Sequence, residues 1–221
     1  MSNQNCESMN ILILAAHPDD ESVGMGGTIK KLSKKNNIHL CVLTEGVSAQ
    51  YNDKKMILER RNACKKSGKI LGISNYTFLD FPDMKLDSVS HLEINRELEK
   101  IIKKFNPKIV YTTSRHDINK DHQIVFESTL VVTRPQSSNV KQVYSYETAG
   151  MTITQFLPTV FEDISKEFKY KIKSFRMYKS ELRPFPHPRS LKAIENLAIQ
   201  RGVESGTKKA EAFELIRFIN L

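Results

Sequence analysis

Cysteine is scarce in this sequence. The three residues, Cys6, Cys41 and Cys64, are odd in number and show no Cys-x-x-Cys spacing. That argues against a disulfide framework and a cysteine-ligated zinc site, and for free thiols in a reducing cytoplasm. Long apolar runs are also missing. The longest, ILILAA, is far too short to cross a bilayer, so no membrane span is expected. The opening MSNQNCESMN has neither a basic n-region nor an apolar h-region. No secretion signal is therefore expected, and residues 1–9 read as a polar tail with the fold beginning near Met9. There are no internal repeats, no low-complexity linker and no second boundary, so residues 1–221 read as one domain. No zinc-finger, helix-turn-helix or RNA-binding aromatic pattern stands out. The net charge of +9 rests on lysines spread through stretches such as KKLSKK, DKKMILERR and KEFKYKIK. Their helical periodicity makes a solvated outer face the plainer reading, and nucleic acid is not an expected partner.

What the chain does have is alternation. NILILAAH (10–17) is apolar from Ile11 to Ala16, as in a strand covered on both faces. A helix follows over roughly 24–36. IHLCVLTE (38–45) is a second strand, and DKKMILERRNACKKSGKILG a helix closed by Gly72. NYTFLD is a third strand, and SVSHLEINRELEKIIKKF a helix with Ser90 and Glu93 at capping-box spacing. PKIVYTT, the helix QIVFESTLVV and the strand KQVYSYE come next. The pattern predicts an α/β fold, a Rossmann-like three-layer sandwich with a mostly parallel sheet. Beyond it, Ile164 to Leu182 carries the spacing of another amphipathic helix, RPFPHPRS is a proline-punctuated loop, and LKAIENLAIQRG is helical. AEAFELIRFI reads as a late strand.

The chemistry is concentrated at strand ends. AAHPDDE sets His17, Pro18, Asp19, Asp20 and Glu21 directly after the first strand. Three adjacent carboxylates repel one another unless something cationic sits among them. HDINKDH (116–122) follows the fourth strand. In open parallel sheets, ligands bind outside the carboxyl ends of the strands, at a switch point that brings such loops together. Imidazole and carboxylate from both loops make a donor set for zinc or a similar divalent ion. His17 and Asp20 are three apart across a turn stiffened by Pro18, and His122, at the mouth of a helix, is the better third ligand. Three protein ligands leave a position open for water. Asp19 is then left over beside the ion, placed to take a proton from metal-bound water as general base. Two blander readings compete: a turn or helix cap, and a receiver-like acidic cluster for magnesium. The glycines of GMGGT miss the dinucleotide-binding spacing and come too late after the strand. They read as close approach of helix to sheet or substrate.

AAHPDDE followed by GMGGT resembles the first motif of the PIG-L/LmbE-like zinc-dependent N-deacetylases. The resemblance extends over ERRNACKKSGKILGI, FLDFPDMKLD and HDINKDHQIV. TRPQ, RPFPHPRS and RGVESGTKKAEAF are similar to a bacterial or archaeal branch associated with surface glycans. It implies a cytoplasmic hydrolase that removes acetyl from an N-acetylglucosamine-type sugar or glycoconjugate, with one Zn2+ per chain or another divalent ion in its place. It implies His17, Asp20 and His122 as metal ligands, Asp19 as general base, and Arg60 and Asp83 as substrate contacts. One departure stands out: Asn119 occupies the position where well-known members carry an oxyanion-stabilising histidine. His116, three residues earlier, is expected to take over, with Asp121 orienting a histidine or a ligand. His187, near Arg183 and Arg189, is placed at the substrate pocket wall. The competing readings are an amidase for a different amide, such as a thiol conjugate, and a non-catalytic basic module that keeps a metal site. A homo-oligomer is left open.

Overall fold

Alternate residues of the first strand feed two separate cores. The computed structural model describes residues 8–49, 53–150 and 152–220, so Cys6 and most of the polar tail expected at 1–9 lie outside the described residues. In β1 (Asn10–Ala15), Ile11, Ile13 and Ala15 pack against α1 (Asp20–Leu32), α2 (Lys54–Leu71), α5 (Phe168–Phe175) and α6 (Leu191–Ser205). Leu12 and Leu14 point the other way, toward α3 (His91–Phe105) and α4 (Lys120–Val132). That is why the strand is apolar from Ile11 to Ala15. Each fully buried Ile or Leu side chain among them contributes roughly 1.5–3 kcal/mol.

The other strands are β2 (Asn37–Thr44), β3 (Asn75–Phe81), β4 (Ile109–Thr112), β5 (Gln142–Tyr146), β6 (Val160–Asp163) and β7 (Ala210–Phe218). They form one seven-stranded sheet in the order β3-β2-β1-β4-β5-β7-β6. The pairs among β1 to β5 are parallel, while β7 runs antiparallel to both β5 and β6. The α/β architecture and the late strand match the sequence pattern. The chain winds outward from β1 through β2 to β3, then crosses back to β4 on the other side of β1. Ile11 pairs with Ile38 on one side and with Ile109 on the other. The carboxyl ends of β1 and β4 therefore flank the switch point.

Three segments depart from the sequence expectation. Helix α1 starts at Asp20, well before residue 24, and is kinked at Met25 (φ −142°, ψ 27°). Past the kink, the buried Glu211 carboxylate on β7 accepts from Gly27 N (2.9 Å) and Thr28 N (2.6 Å) and pairs with Lys171 Nζ at 2.5 Å. A side chain cannot replace the glycines here: a Cβ on Gly24 would meet Tyr146 at 2.4 Å, and one on Gly27 would meet Ile164 at 2.7 Å. The helix expected over 164–182 is confined to Phe168–Phe175. After it the chain turns inward, because Tyr178 bonds the buried Glu21 and Glu181 pairs with the buried Arg60. Strand β6 carries too short and too charged a segment, VFED, to show in the pattern.

Candidate active site

The loop after β1 and the start of α4 meet at the switch point. His17 Nδ1 lies 3.5 Å, and His122 Nε2 3.2 Å, from the same Asp20 oxygen, Oδ2. All three side chains are buried and offer ligand atoms within 4.8 Å of one another. His17 Nδ1 and His122 Nε2 have no hydrogen-bond partner. Their opposite ring nitrogens are engaged: His122 Nδ1 with Asp117 Oδ2 at 2.8 Å, His17 Nε2 with Asp121 Oδ2 at 3.2 Å. An imidazole anchored to a carboxylate through one nitrogen and bare at the other is the arrangement a metal ligand needs. The donor set therefore fits a divalent ion. A second group of donors, His17, Asp83 and Asp121, shares the first histidine. It fits less well, because Asp121 already accepts from Met84 N (2.8 Å) and Leu86 N (3.0 Å).

The electrostatics agree. Burial alone would lower both imidazole pKa values. The bond to Asp121 and the pull of the Asp20 carboxylate outweigh it at His17 and hold that ring at about 9. Asp20 and Asp117 do the same for His122, at about 10. A cage of carboxylates that draws protons onto two buried imidazoles is short of positive charge.

Asp19 is fully buried and sits at φ +140°, a conformation L-residues rarely hold. Burial pushes its carboxyl pKa up, against the pull of Arg189 and Arg60. Arg189 Nη1 lies 2.8 Å from Asp19 Oδ2 and 2.8 Å from Glu181 Oε2. Neither Asp19 oxygen has a hydrogen bond of good geometry. Arg60, buried on α2, donates to Pro18 O at 3.0 Å and pairs with Glu181. Behind Asp19, the Glu21 carboxyl is driven up to about 8 by burial and accepts from Tyr178 Oη at 2.5 Å.

A cleft of about 230 Å3 opens beside these groups, lined among others by His17, Arg60, Asp83, Asn119, His187 and Arg189. Arg60, Asp83 and His187, the expected substrate contacts, thus share one wall system. His116 does not join them, and the expectation for it is corrected. Its Nδ1 pairs with Thr154 Oγ1 at 2.5 Å, its Nε2 lies 3.2 Å from Glu214 Oε2, and its ring meets Phe156 edge-on. The loop after β4 thus turns His116 toward β7. Asn119 lines the cleft instead. Its Oδ1 caps α4 through Asp121 N at 2.9 Å, while its Nδ2 has only Met84 Sδ, at 3.4 Å. Sequence reasoning gave no role to Asp117, Glu181 or Arg189. The first was legible, an acid five residues before His122 in the same loop. The other two come from the distant proline loop and its approach, with no pattern to mark them.

Residues 12–133, more than half of the chain, match the family model described as PIG-L, GlcNAc-PI de-N-acetylase. The chain is 32% identical over 180 residues to the uncharacterized deacetylase YaiS of Escherichia coli K12, covering 77% of this chain and 90% of that protein. It is 26% identical over 226 residues to the diacetylchitobiose deacetylase of Thermococcus kodakarensis, covering 95% and 82%. Among solved structures, N,N'-diacetylchitobiose deacetylase from Pyrococcus horikoshii superposes with a TM-score of 0.81 at 22% identity, over 98% of this chain and 88% of that one.

Proposed function

The chain belongs to the PIG-L family of de-N-acetylases, and from that premise we propose that it is a metal-dependent hydrolase removing acetyl from an N-acetylglucosamine-type sugar or its conjugate. One observation carries the reading: two anchored, orphaned imidazole nitrogens face a single Asp20 oxygen beside a buried Asp19 carboxylate that no hydrogen bond claims. His17, Asp20 and His122 hold one divalent ion, with zinc the first candidate on donor chemistry. When bound, such an ion polarises the acetyl carbonyl and makes a water acidic enough to attack near neutral pH.

The rest is the work of the chain. Asp19 accepts the proton of the attacking water and returns it to the sugar nitrogen as the C–N bond breaks. Acetate and a free amine leave. Asn119 Nδ2, otherwise bonded only to sulfur, donates to the acetyl oxygen as charge builds on it. Asp117 and Asp121 keep the two imidazoles in place. Arg60 and Asp83 meet the sugar hydroxyls from the cleft wall, and His187 stands at its mouth. The test is acetate and amine release from N-acetylglucosamine, its glycosides and its phosphate esters by zinc-loaded protein, before and after chelation. Release that chelation stops is the expected result. Metal-loaded protein that releases no acetate across the panel would overturn the reading and favour a different amide.

A further inference from the structure

We propose that the outer end of the cleft is an anion subsite, built by Arg183 and His187, that selects N-acetyl sugars carrying a phosphate or carboxylate on the group attached to the sugar; this rests on reading the cleft as the sugar site. The first argument is charge. The cleft is lined by three arginines, Arg60, Arg183 and Arg189, and by two carboxylates, Asp83 and Glu181. Glu181 is already claimed, pairing with Arg60 and with Arg189 Nη1 at 2.8 Å. Asp83 faces inward, with Oδ1 3.3 Å from His17 Nε2. Arg183 has no acid partner among the described residues. Its bonds are to backbone: Nη1 donates to Ser180 O at 2.6 Å and to Leu182 O at 3.1 Å. That fixes one arm of the guanidinium and leaves Nε and Nη2 as a fork for an oxyanion.

The second argument is the tautomer of His187. Its Nδ1 accepts from Arg189 N at 3.0 Å, so Nε2 must carry the ring proton. The exposed ring edge is therefore a donor. Arg183 and His187 present donors to the same cleft, and neither offers an acceptor there.

The third argument is preorganisation. Pro184, Pro186 and Pro188 alternate through the loop and hold φ near one value at each. The loop also closes on itself: Arg183 N reaches Arg189 O (3.4 Å), His187 N reaches Pro184 O (3.1 Å) and Ser190 N reaches His187 O (2.9 Å). Little chain entropy remains to be lost when a ligand docks. A merely solvated arginine needs neither a backbone anchor nor a stiffened loop.

The experiment compares three substrates on zinc-loaded enzyme: the methyl glycoside of N-acetylglucosamine, its 1-phosphate, and a glycoside of a hydroxy acid. The charged pair should be preferred in kcat/KM, and Arg183→Ala should cut that preference by about tenfold through KM, the scale of one charge-assisted bond. The two charged substrates separate phosphate from carboxylate recognition. Arg183→Lys should restore only part, since an ammonium cannot form the fork. Equal kcat/KM for the neutral and charged glycosides, or an unchanged preference in Arg183→Ala, would overturn the proposal. A separate arm does not depend on deacetylation: calorimetric titration with inorganic phosphate should show binding that Arg183→Ala weakens. Turnover of none of the three, with phosphate binding intact, would sink the deacetylase reading and keep the subsite. Phosphate that binds both proteins equally would overturn the subsite alone.

Discussion

Asp19 holds a backbone conformation that costs a non-glycine residue of order 1–3 kcal/mol. The surrounding arginines and the bond from its own amide to Glu21 Oε2, at 3.2 Å, keep it there. Strain of this kind persists where it aims a side chain, and here it aims a carboxylate past the ligand set rather than into it. Asp19→Asn should keep metal and fold but lose turnover by roughly two to four orders of magnitude, the worth of a general base. Metal analysis and kcat on the same preparation check this, and near-native turnover would reduce Asp19 to a turn residue. Asn119 raises a different problem, because it both caps α4 and faces the cleft. Alanine would confuse the two roles. Asn119→Asp keeps a capping oxygen and removes the donor, so kcat should fall by ~10²–10³ with little change in melting temperature. His116→Ala should do the opposite. It strips the imidazole from the buried Glu214, leaving that carboxylate the Leu157 amide, and lowers stability by about 1–3 kcal/mol in urea titration, without a catalytic loss of that size. If His116→Ala costs more turnover than Asn119→Asp, the assignment of the donor is reversed.

At the scale of elements, legibility followed locality. The loop after β1 packs its chemistry into five residues, so its composition alone pointed to a cation. The loop after β4 was harder, because neighbouring residues at the start of α4 face different partners: Asp121 turns to His17 and His122 to Asp20. Successive helical positions differ by about 100°, and the sequence does not say where that rotation starts. The position of His116 is hidden for the same reason, one turn of loop being enough to send it to β7. The pairing of Arg189 with both Asp19 and Glu181 has no mark in the sequence, since it forms only through tertiary packing of a proline loop. The kink in α1 is a similar case. GMGGT announced close approach, but not that Glu211, from the last strand, would cap the helix past the kink. Glu211→Ala should therefore be costly, by about 3–5 kcal/mol, because it strands a buried Lys171 ammonium and uncaps two amides. Chemical denaturation measures this. A loss under 1 kcal/mol would mean that water replaces the carboxylate and that the cap is incidental.

With an ion on His17, Asp20 and His122, as proposed, the whole molecule would couple its stability to metal binding, and pH would reveal the sign. Without the ion, His17 and His122 are held at about 9 and about 10, against 6.5 for a free imidazole. A group whose folded pKa is raised stabilises the fold fully below its unfolded pKa. That contribution is lost as pH climbs through the folded value. Chelated protein should thus lose stability steadily above about pH 6.5. Glu21 works in the same direction in both forms: its carboxyl is held at about 8, so above pH 4.5 the unfolded chain ionises it more readily. The metal-loaded protein differs at the two imidazoles. There the ion takes the place of the protons, and raising the pH strengthens its hold because fewer protons compete for the same nitrogens. The Glu21 contribution is common to both forms and cancels in their difference. The melting-temperature gap between zinc-loaded and chelated protein should therefore widen between about pH 6 and pH 9, and zinc uptake should release protons that a weakly buffered titration can count. His122→Ala should close most of that gap. A gap that stays constant with pH would show that the buried imidazoles are paired histidines of the fold and not the ligands of an ion.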